Sequence, residues 1–559
     1  MSTQTIGSTL LLIAVSACSF AQSNVRDVRN AAGNLMPRLP GYGIARGSLI
    51  SISGAASGDP QSANFPLSAN LNGVSVKIVA GGQEVDALMV SVTASRIIAL
   101  VPSQAPTGAG IVRVTDANGT IDLNVTIIER NFGIFAQKSA ANSVGGAYAM
   151  NLSDGGNVWN SLTTPAMPGQ NVAILGSGAG ATTQDETNAV AAESLTGDFK
   201  LYIGGKLATI VSTGRNGMGI DALGLPTGLA GIDSIVATVP AGLSGCRVAV
   251  ETITDNARVS NFATISVAPD GGACSDPGIL SSDDINNLPA SGFYSTGNVL
   301  ITRSTVSLAS PIGNIDLNND SATAGFSKID VNDFRSSGGG GYYTVGSCIV
   351  TYFTTDDLSV DNAALPALLD AGPAINIKGP TGTTTLGRNP GGDYASATAV
   401  GSNSPFFPSQ GTPFAEPGAF TAGNGAGGAD VKAFTVNLTN PKPFIWTNQA
   451  QITDVIRSQG VTITWTGGAS DATVSIGGSS PGAGNIVSSF GCTAPASAGS
   501  FQVPAAVTLA LTPTGGSTGA SIPGAFAVLS STYSHFTAAG LDQGVFASAS
   551  GSSKNVTFR

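Results

Sequence analysis

Charge is what this sequence most conspicuously lacks. Only 10% of its 559 residues are Asp, Glu, Lys or Arg, against about a quarter in an ordinary soluble domain. Acidic residues outnumber basic ones by 34 to 24, and no run of Lys and Arg occurs. Nucleic acid is thereby excluded as a partner, because phosphates need clustered cations. Histidine occurs once, as His535, which leaves little material for imidazole metal centres or catalytic triads. The five cysteines include no C-x-x-C pair, which argues against zinc. Beyond the N-terminus no apolar run is long enough to form a transmembrane span. Helical patterning is scarce too: no 3.6-residue period persists beyond one or two turns.

What is present is glycine, 74 residues of it, within a chain that is 42% hydrophobic. That apolar share argues against disorder. Together with low charge it describes a β-rich, turn-rich extracellular protein with room for three or four domains. The fold class expected is all-β: tandem immunoglobulin-like β-sandwiches followed by a larger Gly/Ser-rich β-sandwich region.

An internal repeat carries this expectation. Gly47-Ser48-Leu49-Ile50-Ser51-Ile52-Ser53-Gly54 returns as Gly169-Gln170-Asn171-Val172-Ala173-Ile174-Leu175-Gly176. Each is a glycine turn, an alternating apolar strand and a closing glycine. Lys77-Ile78-Val79-Ala80-Gly81-Gly82 is answered by Lys200-Leu201-Tyr202-Ile203-Gly204-Gly205, and Ala99-Leu100-Val101-Pro102 by Ala237-Thr238-Val239-Pro240. The offset grows along the second copy, and the acidic stretch Thr182–Leu195 is its natural insertion. Strands at such spacing read as Ig-like modules at 25–135 and 136–269. Residues 270–289, rich in Gly, Ser, Asp and Asn, read as a linker. Residues 290–559 read as one or two further sandwiches, with strands at Tyr342–Phe353, Ala374–Lys378, Val431–Leu438, Val461–Trp465, Thr473–Ile476 and Val507–Leu511.

The first 21 residues read as a signal peptide. Leu10–Val15 is a short apolar core and Ser19-Phe20-Ala21 a small-residue cleavage site, although Met1–Thr9 carries no Lys or Arg. Val15-Ser16-Ala17-Cys18 also resembles a bacterial lipobox, so cleavage after Ala21 and lipidation of Cys18 both stay open. Either way the expected location is exported, extracellular or at the cell surface. Cys246, Cys274, Cys348 and Cys492 then remain, and four cysteines allow three pairings. Cys246–Cys274 and Cys348–Cys492 keep each bridge within one region of the chain.

Several of these motifs occur in a recognisable order. Arg46-Gly47, Asn72-Gly73-Val74-Ser75-Val76, Val101-Pro102, Phe132-Gly133-Ile134-Phe135, Pro168-Gly169-Gln170, Gly176-Ser177-Gly178, Ile203-Gly204-Gly205, Gly231-Ile232-Asp233 and Ser260-Asn261 lie in that sequence. Over residues 25–270 the chain resembles an uncharacterised family of acidobacterial exported proteins with a tandem Ig-like unit similar to IPT/TIG domains. The resemblance implies a sandwich fold and export, and no catalytic residues. Gly427–Trp465 looks like a segment that often follows the unit in that family.

Candidate chemistry is thin. Gly515-Gly516-Ser517-Thr518-Gly519 matches G-x-S-x-G, but Pro513 and Pro523 flank it and no helix follows, so it reads as a loop rather than a nucleophile elbow. Gly176–Ala181 faintly resembles a dinucleotide loop without the helix one needs, and reads as a glycine corner. Asp316, Asn318 and Asp320 place three oxygen-bearing side chains at alternate positions, the one candidate metal site, for calcium; Asp330, Asn332 and Asp333 could add ligands. Ser321 and Ser327 replace the glycine and glutamate of an EF-hand, and an Asx-rich turn is the plainer reading. No other cofactor is indicated. Trp465 alternates with Val461 and Ile463 and is expected in a core, whereas Trp446, between Pro443 and Asn448, is expected at the surface as a ligand contact. These features point to a non-enzymatic exported protein that binds an extracellular glycan or protein through its sandwich modules. Two alternatives stay open: accessory modules on a carbohydrate-processing enzyme, or a surface-layer or filament subunit. Oligomeric state has no signature in the sequence.

Overall fold

A computed structural model describes residues 27–54, 60–137, 144–215, 217–276, 279–308, 315–337, 343–354, 367–402, 408–440, 444–514 and 523–559. The N-terminal segment read as an export signal, with Cys18, lies outside the described residues, as does Gly515–Gly519. The architecture is all-β: seven sheets, with three short α-helices among the described residues.

Four sheets account for residues 27–267. They pair face to face around two apolar cores. One is built on Ile50, Ile52, Val76, Ile78, Val112 and Val114, the other on Val172, Ile174, Leu201, Ile203, Val248 and Val250. Their strands alternate buried and half-exposed residues, as Val74–Ala80 does throughout, which is the signature of a sheet with one face in a core.

The repeat seen in the sequence is a repeat in space. Gly47 N–H donates to Val101 O at 2.9 Å, and Gly169 N–H donates to Val239 O at 2.8 Å. Val101 N–H returns to Ser48 O, and Val239 N–H to Gln170 O, each at 2.9 Å. Gly47 and Gly169 have φ of 66° and 86°, a left-handed turn that glycine adopts without a Cβ penalty. A Cβ on Gly47 would also stand 2.7 Å from Gly180 O.

The two copies are locked together. Leu49, Leu100 and Phe135 from the first share a buried cluster with Leu175, Leu229 and Ile232 from the second. Across this seam Leu49 N–H donates to Ser177 Oγ at 2.9 Å and Asn30 Nδ2 to Ser177 O at 3.0 Å. The Asn171–Ser177 strand therefore reads as a continuous apolar run, because both its faces are covered.

Residues 293–558 are organised by one ten-stranded sheet of mixed direction. Its central strands are long: Phe293–Leu308, Ile315–Asp330, Gly524–Phe536 and Gln543–Phe558. A four-stranded sheet (Ala374–Asn440) and a three-stranded sheet (Ile445–Val503) accompany it. Two apolar clusters lie against it, one around Phe326, Phe434 and Phe546, the other around Trp446, Trp465, Phe526 and Val528. Both expected disulfides are formed, Cys246–Cys274 and Cys348–Cys492. Cys348 and Cys492 face each other in register on neighbouring strands.

Two expectations are corrected. Val507–Leu511 is not a strand. Ala505–Ala510 is a helix entered from Pro504, whose φ of −63° suits a helix start. The 270–289 stretch is not a loose tether. Cys274 is bridged to Cys246, Asp276 accepts a hydrogen bond from Cys246 N–H, and the helix Ser282–Asn286 is held by a Ser281–Asp284 capping box with Ile285 buried beneath it.

Candidate functional site

The strand Gly245–Thr254 sets up the site, because it is buried along its whole length. Val248 and Val250 point into the core of the second Ig-like unit. The alternate residues Arg247, Ala249, Glu251 and Ile253 face the C-terminal region. Ile253 joins the cluster that contains Trp465, and Ala249 N–H donates to Ser347 Oγ at 3.2 Å.

Arg247 fastens this face. Its Nη1 donates to Ser336 O at 2.8 Å, and its Nη2 to Phe334 O and Arg335 O at 2.7 and 3.0 Å. Those are terminal carbonyls of the helix Val331–Ser337, which a helix leaves without internal donors. Gly146 N–H adds a further bond to Ser336 O at 2.9 Å. A fixed helix end thus stands against the second Ig-like unit.

Beside this junction lies a cavity of about 570 Å³. Its wall comes from three distant parts of the sequence: Gln137 to Thr163, Cys246 to Ser266, and Ile285 to Arg335. The carboxamides of Gln137, Asn160, Asn286 and Asn332 line it, with hydroxyls such as Thr163 and the guanidinium of Arg335. Leu162, Ile265, Ile285 and Leu288 supply apolar surface. Its volume is that of a small-molecule site. No Asp, Glu, His, Lys or Tyr is among the lining residues, and Cys246 is held in its disulfide. The wall can donate and accept hydrogen bonds, and none of its lining residues is a carboxylate or imidazole that could activate its Ser and Thr hydroxyls.

Glu251, on the same strand, is 2% exposed, and its Oε2 has no hydrogen-bond partner. Burial pushes its carboxyl up to about 8. At the other junction Asp233 is fully buried; desolvation raises its pKa, against Arg215 and the N–H groups of Ala179 and Gly178. Those two N–H groups donate to Asp233 at 2.7 and 2.9 Å. The Gly176–Ala181 corner is thus occupied by the chain's own carboxylate.

The sequence-selected residues lie elsewhere. Trp446 is not a surface contact. It is 4% exposed, packed 5.6 Å from the Phe526 ring, with Nε1 donating to Asn448 Oδ1. It pairs in register with Trp465, which is buried as expected. Trp159 is the exposed tryptophan, at 44%. Asp316, Asn318 and Asp320 lie along the Ile315–Asp330 strand, not in a turn. Asn318 and Asp320, alternate residues of that strand, project side by side about 6–7 Å apart; the Asp316 side chain lies outside the described residues. The Asp320 carboxylate is taken up by a two-point pair with Arg303, 2.7 Å at each oxygen, and by Phe414 and Ala415 N–H. Asn318 accepts from the Thr305 hydroxyl. Among the described residues no cluster of His, Cys, Asp and Glu is arranged to hold a metal. The Thr182–Leu195 insertion braces the first junction. Glu186 accepts from Ser103 N–H and Oγ at 2.8 and 2.7 Å, and Thr187 O accepts from Leu67 N–H at 2.6 Å.

No family model matches this chain, and no curated protein matches it. Among solved structures, a titin I9–I11 tandem is 7% identical, covering 71% of this chain and 93% of its own, with a TM-score of 0.12. A Bacteroides ovatus mixed-linkage glucan utilization locus protein, SGBP-B in complex with a heptasaccharide, is 10% identical over 81% of each chain, also at 0.12. The N-terminal four Ig domains of Dscam1 isoform 4.44 are 8% identical, covering 93% and 97%, at 0.10. Scores this low bear on neither the fold nor the function of this chain; its fold rests on its own sheets and register.

The cavity was missed in the sequence because its wall is assembled from three separated segments. Two signals pointed towards it: the Cys246–Cys274 pair, and the polar Arg247 directly before the apolar run Val248-Ala249-Val250.

Proposed function

We propose that this is an exported, non-enzymatic binding protein of the cell surface or extracellular space. Two Ig-like modules, 25–135 and 136–269, and the C-terminal region 290–559 act as a braced scaffold, and the ligand sits at the junction between the second module and that region. The observation that carries this reading is the junction cavity, which has hydrogen-bonding groups in its wall and no carboxylate or imidazole among its lining residues to activate the hydroxyls there. Disulfides support an oxidising compartment. The resemblance of residues 25–270 to acidobacterial exported proteins supports export.

A glycan array and a pull-down from cell envelopes, run beside a hydrolase panel on the full chain, test the reading. Saturable binding without turnover is the expected result. Turnover of a captured glycan, abolished by a substitution in residues 290–559, would replace it with an enzyme.

A further inference from the structure

The junction cavity is electrostatically at odds with the rest of the chain. The protein as a whole carries a net charge of −10, yet the cavity wall holds two guanidiniums and no carboxylate. Arg247 is committed to the helix end, where three carbonyls hold its fork. Arg335 is different. It is half-buried, and its Nη1 and Nη2 donate to Ala290 O and Pro289 O at 3.2 and 2.7 Å. Carbonyls orient a guanidinium but do not neutralise it. No carboxylate among the described residues forms an ion pair with Arg335. On the Ser282–Asn286 helix, Asp284 is spent on its own capping box. Arg335 therefore brings an oriented, unneutralised cation to the cavity, with donors left over from the five its guanidinium carries.

The remaining polar groups narrow the ligand. Gln137, Asn286 and Asn332 bring carboxamides, each both donor and acceptor. Such groups match vicinal hydroxyls, which also donate and accept. An extended hydrocarbon would leave them buried and unpaired.

We propose that the cavity takes an acidic saccharide of the uronic-acid class, with Arg335 meeting its carboxylate and the carboxamides meeting its hydroxyls. This inference rests on the reading of the cavity as the binding site.

Calorimetry on the full oxidised chain tests it with three probes: galacturonate, its methyl ester and galactose. Thr163→Trp, which fills the cavity, and the pair Arg335→Gln and Arg335→Lys complete the set, with each variant's melting temperature confirming that it folds. The expected result is galacturonate binding at least tenfold tighter than ester or galactose, weakening with added salt. Arg335→Gln should erase that preference, Arg335→Lys should restore part of it, and Thr163→Trp should abolish binding of every probe. Equal binding of galactose and galacturonate, both lost in Thr163→Trp, would overturn the acidic class and leave the cavity as the site. Galacturonate binding that survives Thr163→Trp would overturn the site itself. Failure of all three probes would overturn the sugar class, and the envelope pull-down with Thr163→Trp would then decide the site separately.

Discussion

Glu251→Gln should make the protein more stable at alkaline pH and change little in acid. The wild-type carboxyl is buried between the second Ig-like module and the C-terminal region, with Oε2 unbonded. Burial raises its pKa from 4.5 to about 8. The folded protein therefore keeps a proton that the unfolded chain releases across that interval, so stability falls as pH rises through it. Below pH 4.5 both states are protonated and nothing is lost; above pH 8 the loss levels off. At 1.36 kcal/mol per unit the total is about 5 kcal/mol, a large share of the roughly 5–15 kcal/mol that holds a domain together. Glutamine keeps the shape without the charge. Urea unfolding of both proteins at pH 5, 7 and 9, followed by tryptophan fluorescence, reads the effect, because Trp446 and Trp465 lie in the cluster that Ile253 joins. The gap between variant and wild type should open by several kcal/mol from pH 5 to pH 9. Parallel curves would refute the placement of Glu251 in a dry interface.

Other substitutions probe other parts of the structure. Replacing Cys348 and Cys492 by serine opens a 144-residue loop and should cost about 5 kcal/mol on chain-entropy grounds. The Cys246–Cys274 pair, 28 residues apart, should cost about 3.6 kcal/mol, both read in denaturant titrations. Trp446→Ala should lower stability by about 3–5 kcal/mol as a core truncation while leaving ligand affinity unchanged by calorimetry; a selective loss of affinity would return Trp446 to the binding surface. Ser177→Ala strips the partner from the buried Leu49 N–H and should destabilise the first junction by about 1–3 kcal/mol, visible as faster amide exchange in Leu49–Ser53 and Asn171–Ser177.

The Ig-like half was legible because its strands obey period two and its turns need glycine. The paired bonds of Gly47 with Val101 and Gly169 with Val239 are what the repeated letters encode. The long strands Phe293–Leu308 and Gln543–Phe558 were missed because serine, threonine and asparagine occupy them without apolar alternation; their neighbours in a ten-stranded sheet, not their own pattern, make them strands. Val507–Leu511 looked like a strand because a short apolar run fits either element; Pro504 and two alanines decide for a helix. Trp446 looked exposed because its polar neighbours follow it in sequence, while the Trp465 strand that covers it comes almost twenty residues later. The acidic stretch Thr182–Leu195 reads as an insertion, and Glu186 shows what its charge does: it holds Ser103 of the other module.

The central claim is that ligand binds at the junction cavity. Amide hydrogen exchange of the full chain, with and without the glycan captured on the array, tests it most directly. Protection is predicted in Ala149–Asn160, Ser282–Asn286 and Val331–Ser337, which line or adjoin the cavity. Protection confined to the Ala374–Asn440 sheet, with those three segments unchanged, would contradict the account.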